Sequence, residues 1–210
     1  MSKRVLSLAV LTFASLGVTH AGVISLYGDI DCFGLGGSCP DGSGFTTDLG
    51  GVQYADYRSA AEIASNSVTD IWQHQNPAVA MTYSYTLDGT PVSAIFTTRI
   101  AGIGNAGFGP DDVTFDGALI GEIPANQSAN SDQEVLTYSF AVPTGLLTGD
   151  DTVSIAVVHG ADGFSIDYGQ LSVTTTSAAT PTPEPSTLGA LCAGLAGLLA
   201  RRLRKGQTRP

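Results

Sequence analysis

The chain has 210 residues, room for one ordinary domain with terminal extras and hardly for two. Charged residues make up 13% against 43% hydrophobic ones, which excludes a disordered chain and a coiled coil. A formal net charge of −10 excludes a nucleic-acid partner, whose phosphate backbone needs clustered lysine and arginine.

Lys3 and Arg4 precede an apolar run over residues 5–18 and then Thr19, His20 and Ala21. A basic start, an apolar middle too short for a good bilayer span and a small residue at its end predict a cleavable signal peptide, residues 1–21. The segment 22–173 reads as one all-β domain. Its single helix signal is short, over residues 56–64, followed by a predicted strand over 68–72. Val79, Met81, Tyr83, Tyr85 and Leu87 alternate with polar or small residues, which predicts a half-buried strand. Asp88-Gly89 predicts a hairpin turn into a second such strand, carrying Val92, Ala94, Phe96, Thr98 and Ile100. Asp116-Gly117 predicts another hairpin. Leu136, Tyr138, Phe140 and Val142 form a further face, and Val153, Ile155 and Val157 another. In the last strand Phe164, Ile166 and Tyr168 change phase at Gly169 to Leu171 and Val173, which predicts a bulge. About eight short strands with Gly- and Asp-rich turns predict an antiparallel β-sandwich.

Several groupings carry a chemical meaning and a plainer one. Gly102, Gly104 and Gly107 match G-x-G-x-x-G, but a strand follows instead of the helix that a pyrophosphate site needs, so a glycine-rich loop is expected. His74 and His159 sit in polar or turn contexts, and nothing in the sequence marks a triad around either. Asp111 and Asp112 are adjacent acids before a strand, more in keeping with solvated loop chemistry than with glycoside hydrolysis. Trp72 with Tyr54 and Tyr57 has the composition of a sugar-stacking platform, although aromatics that follow strand alternation belong more often to a core. Asn126-Gln127-Ser128 fits a glycosylation sequon and is expected to be a polar loop.

Residues 174–182, rich in Thr, Ser, Ala and Pro, cannot bury enough apolar surface to fold and read as a linker. Pro183, Glu184 and Pro185 follow, then a small-and-apolar run over 187–200, the cluster Arg201, Arg202, Arg204 and Lys205, and a tail, 206–210. The run would make about 21 Å of helix, short of the roughly 30 Å hydrocarbon core. A basic tail favours the cytoplasmic side, so this hydrophobic helix is expected to be a transient inner-membrane anchor. In motif, helix and basic cluster, residues 183–205 closely resemble the PEP-CTERM sorting signal of Gram-negative bacteria. The resemblance implies that exosortase, a membrane protease-transpeptidase, cuts there and releases the protein toward the surface and its exopolysaccharide.

With both ends removed, residues 22–182 keep two basic side chains, Arg58 and Arg99, against eighteen acidic ones, a formal −16 with no lysine. Such a domain attracts cations, and it repels acidic polysaccharide unless divalent ions bridge the two. Cys32 and Cys39 are the two cysteines outside the tail that holds Cys192, and export to an oxidising compartment predicts a disulfide between them.

Residues 151–173 and 113–123 resemble, more loosely, the closing strands of jelly rolls of the carbohydrate-binding-module kind. In such jelly rolls the first and last strands meet, often tied by calcium. That likeness implies a structural calcium site from Asp29 and Asp31, after the first strand, and Asp167 in the closing strand. Carboxylates at two-residue spacing with carbonyls of a glycine-rich loop suit calcium's six to eight oxygen ligands. An EF-hand is excluded, because Phe33 stands where its third acidic ligand belongs and Pro40 replaces the terminal Glu. The plainer expectation is that these aspartates cap turns or face water.

The expected function is a non-catalytic surface or exopolysaccharide-matrix protein, binding carbohydrate or serving as a structural component. The alternative is a secreted hydrolase, a glycosidase or esterase, on the same scaffold.

Overall fold

In the computed structural model the predicted alternation becomes nine strands among the described residues, which are 20–52, 54–74, 78–103, 110–124, 133–156 and 163–176. In chain order the elements are β1 (His20–Gly28), α1 (Ala60–Ser65), β2 (Gln73–His74), β3 (Val79–Ser84), β4 (Thr90–Ala101), β5 (Asp111–Phe115), β6 (Ala118–Ile123), β7 (Val135–Ala141), a 3-10 turn (Thr144–Leu146), β8 (Asp150–Ala156) and β9 (Gly163–Thr176). One sheet has the order β1-β9-β4-β7, with β2 beside the start of β9, and the other β3-β8-β5-β6. All pairings are antiparallel.

The apolar faces meet between the sheets. Val79, Met81 and Tyr83 of β3, Val113 and Phe115 of β5, and Val153 and Ile155 of β8 pack into one core with Phe96 and Ile100 of β4 and Ile166, Leu171 and Val173 of β9. The domain is an antiparallel β-sandwich. A second apolar cluster, with Phe33, Phe45 and Trp72 at its centre, packs with Ala101 and Val135 under the long connection between β1 and β2.

Asp116-Gly117 makes the predicted hairpin, with φ values of 48° and 79°, both left-handed as a two-residue hairpin turn requires. Asp88-Gly89 does not. Its two flanking strands lie in opposite sheets, β3 paired to β8 and β4 to β9 and β7, so these residues cross between layers. Alternation identifies which face of a strand is buried, but not which strand lies beside it.

The strand predicted over 68–72 is also absent. Asp70 takes φ 57°, which no strand passes through, and only the Asp56–Ile71 bridge and the two-residue β2 form nearby. The helix predicted at 56–64 is the shorter α1.

The phase change in β9 is a bulge, set two residues before Gly169, which itself pairs in register with Thr98. Arg99 faces Tyr168 and Ile100 faces Ile166, which leaves Asp167 as the extra residue. Gly169 lets β3 approach closely, because a Cβ there would lie 2.5 Å from Met81 Sδ and from the Tyr83 hydroxyl.

β9 runs past residue 173, where composition ends the domain. Thr174, Thr175 and Thr176 continue β9 opposite Gly22, Ala21 and His20, as β-branched residues readily do. Cleavage after Ala21 would leave Gly22 as the first paired residue. The rest of the signal segment, the sorting motif Pro183-Glu184-Pro185, the apolar run, the basic cluster and the tail lie outside the described residues. Among the described residues no helix is long and apolar enough to cross a membrane.

Candidate metal centre

Two segments meet here, the loop that follows β1 and the stretch around α1 that runs to Asp70. β1 ends at Gly28, φ 75°, where a Cβ would lie 2.5 Å from Thr69, so glycine is required for the approach. Asp29 and Asp31 follow. Asp31 Oδ1 accepts from the Gly34 amide at 2.6 Å, and its carbonyl accepts from the Gly36 amide at 2.9 Å.

The loop is held by the predicted Cys32–Cys39 disulfide and by Phe33, which packs edge-on against Phe45 at 5.3 Å. Replacing both cysteines by serine is expected to lower stability by about 2.5 kcal/mol, the loop-entropy value for eight residues. Urea midpoints of the oxidised wild type and the double variant measure it, and equal midpoints would refute it.

The second segment surrounds α1. Ser59 and Glu62 form a reciprocal capping box, Ser59 N donating to Glu62 Oε2 at 2.9 Å and Glu62 N to Ser59 Oγ at 3.3 Å. The Thr69 hydroxyl donates to Glu62 Oε1 at 2.6 Å. Burial works against the Glu62 charge, but the donors on Thr69 and Ser59 outweigh it and hold its carboxyl below the ordinary value.

Asp70 comes next, its backbone fixed on both sides. Its amide donates to the Ile166 carbonyl at 2.7 Å, and its carbonyl accepts from Tyr57 N at 2.8 Å. The side chain is 0% exposed.

One carboxylate oxygen from each of Asp29, Asp31 and Asp70 lies within 4.8 Å of the other two. Asp29 Oδ1 and both Asp70 oxygens are buried with no hydrogen-bond partner. Asp70 is pushed up to about 9 by burial first, then by the charges of Glu62, Asp31, Asp167 and Asp29. Asp29 rises to about 6, through burial and then the Asp31 charge. Asp29 faces Asp31, and Asp70 faces Glu62, carboxylate against carboxylate. A proton or a cation resolves such a cluster.

The structure places Asp29 and Asp31 side by side, with Asp70 rather than Asp167 as their third neighbour. Asp167 lies outside the trio: its Oδ1 accepts from Phe33 N at 2.8 Å, and its Oδ2 lies 3.6 Å from Arg99 Nη1. Being the bulged residue of β9, it is turned toward β4 and the disulfide loop. Asp70 takes the third place, and its one sequence signal is an acid interrupting the apolar stretch 68–72.

The other sequence candidates resolve plainly. Trp72, 6% exposed, belongs to the second core, and Tyr54 packs edge-on against it at 6.2 Å. Asp111 is buried while Asp112 is half-buried, so the neighbours on β5 do not form a facing pair. His74 lies in β2 with its side chain outside the described residues, as are His159, most of the 102–107 loop and Asn126 to Ser128. Asp29 and Glu62 also line an open recess of about 600 Å³, together with Tyr27, Ser59, Ser67 and Thr82.

Residues 181–205 match the family model of the PEP-CTERM protein-sorting motif. No characterised protein matches the chain in sequence. Among solved structures, dimeric latent PorU from Porphyromonas gingivalis is similar at 10% identity and a TM-score of 0.47, over 78% of this chain and 14% of that one. The EclA C-terminal domain, a sugar-binding protein, shows 17% identity and a TM-score of 0.34, over 44% of this chain and 64% of that one. The Agl-KA catalytic domain shows 13% identity and a TM-score of 0.29, over 86% of this chain and 32% of that one. The chain spans less than two thirds of each of these structures, and no role follows from likenesses with TM-scores under 0.5.

Proposed function

We propose that this is a non-catalytic protein of the cell surface or exopolysaccharide matrix, delivered through an inner-membrane-anchored intermediate. The single observation that carries the reading is the PEP-CTERM motif at residues 181–205, which implies export, sorting at the membrane and processing by exosortase. The domain that remains carries two basic and eighteen acidic side chains, a charge suited to a soluble extracellular protein. Neutral glycan is the ligand class that fits. The recess beside Asp29 offers the hydroxyls of Ser59, Ser67 and Thr82 and the ring of Tyr27, while the acidic surface disfavours anionic sugars.

Mass spectrometry of the exported protein tests the sorting route. The expected product begins near Gly22 and has lost everything after Pro185; an extracellular product that still carries Arg201 to Arg204 would overturn it. The non-catalytic reading predicts no product from a panel of polysaccharides and esters, and turnover by the purified domain would replace it with a secreted hydrolase.

A further inference from the structure

We propose that Asp29, Asp31 and Asp70 form a divalent-cation site, suited by its chemistry to calcium, that ties the end of β1 to the segment between α1 and β2. The inference goes beyond the sorting and matrix reading and does not depend on it. Clustered acids alone would not suffice. Here Asp70 is wholly buried, both its oxygens lack a partner, and one of them converges with oxygens of Asp29 and Asp31 within 4.8 Å.

Of the neighbouring donors, the Gly34 amide serves Asp31 within the trio, while Thr69 and Ser59 serve Glu62 and Phe33 N serves Asp167, which leaves Asp70 with none. Of the two arginines in the domain, Arg58 pairs with Asp56 at 2.6 Å, and Arg99 lies against Asp167. Glu62 of α1 and, from its place against Arg99, Asp167 of β9 add further negative charge at Asp70. Among the described residues no protein cation therefore compensates the three carboxylates, and their mutual repulsion favours an ion of two positive charges.

The ligand atoms are all oxygen. The nearby cysteines, Cys32 and Cys39, are joined to each other and offer no thiolate. Such a set selects a hard cation over zinc or copper. An irregular site built from two loops suits calcium better than magnesium, which demands near-ideal octahedral geometry. Access is present as well, because Asp29 lies on the wall of the 600 Å³ recess, from which water can complete the shell.

The test uses the exported protein, freed of metal with EDTA, at pH 7.5. Isothermal titration with calcium chloride is expected to give one site per chain. At 10 mM calcium the melting midpoint should rise by roughly 3–11 °C, given the millimolar to submillimolar affinities of extracellular sites. Asp70→Asn and Asp29→Asn should each lose the titrated site and most of the midpoint shift. Asp112→Asn, on the other sheet, should keep both. Should Asp70→Asn not fold, the exposed-side ligand Asp29→Asn carries the same expectation.

Absence of a titrated site in the wild type, with equal midpoints in calcium and EDTA, would overturn the proposal and leave protons as the occupants. An equal shift in wild type and Asp29→Asn would also overturn it, by assigning the effect to the acidic surface.

Discussion

Phe96→Ala is expected to destabilise the domain by about 4 kcal/mol, within the range for a fully buried phenylalanine. Phe96 lies on β4 at 0% exposure, between the two sheets. Its ring meets Tyr83 of the opposite sheet edge-on and stacks on Phe140 of β7, each at 6.4 Å between centroids. A cavity left there has little freedom to close. Tyr83 belongs to β3, pinned through six register pairs to β8, and Phe140 is fixed by the register of β7 on β4. Gly169 stands on the remaining side, with no side chain to move into the space. Urea unfolding measures the loss as a lower midpoint at unchanged slope. A change below about 1.5 kcal/mol would mean that the sheets do not press together at Phe96. Leu119→Ala is the control, because Leu119 is 58% exposed on β6 and is expected to change the midpoint little.

How much was legible before any coordinates follows from what each signal encodes. Alternation reports burial of a face, so Val79, Met81 and Tyr83 were readable as core, as were Ala94, Phe96 and Ile100. It carries no information on lateral partners, so Asp88-Gly89 has the sequence of a hairpin turn although its flanking strands lie in different sheets. At Asp116-Gly117 the flanking strands are separated by two residues, both left-handed, and local geometry alone closes the hairpin. At Asp88 the chain instead leaves β3 for the other layer. Pro91, which has no amide hydrogen, is the second residue of β4 and stands beside a register break. The phase change in β9 is legible because one added residue shifts every side chain to the other face, but alternation points to Gly169 where the extra residue is Asp167. Asp29 and Asp31 were visible through their spacing in a glycine-rich turn. Asp70 was not, because its approach depends on a left-handed backbone at residue 70 and on Ile166 receiving its amide, a contact 96 residues away.

The other large effect concerns the acid that the cluster excludes. Arg99→Met, measured in EDTA at pH 7, is expected to cost about 3 kcal/mol, the lower end for removing one partner of a buried ion pair. Asp167 is 0% exposed, and burial raises its carboxyl above the ordinary value by more than the Phe33 amide and the Arg99 guanidinium lower it. The lower end applies because Arg99 itself is about one-fifth exposed and water screens part of the attraction. Arg99 also lies 5.6 Å above the Tyr168 ring and donates from Nε to Thr137 at 3.3 Å, and methionine keeps only the apolar part of those contacts. The double variant Arg99→Met/Asp167→Asn separates the two causes. Asparagine retains an oxygen for the Phe33 amide and removes the buried charge, so the double variant should be more stable than Arg99→Met alone by more than about 1 kcal/mol. Were the two variants equally unstable, the loss would belong to the packing of Arg99 on Tyr168, and the bulge at Asp167 would need no counter-ion.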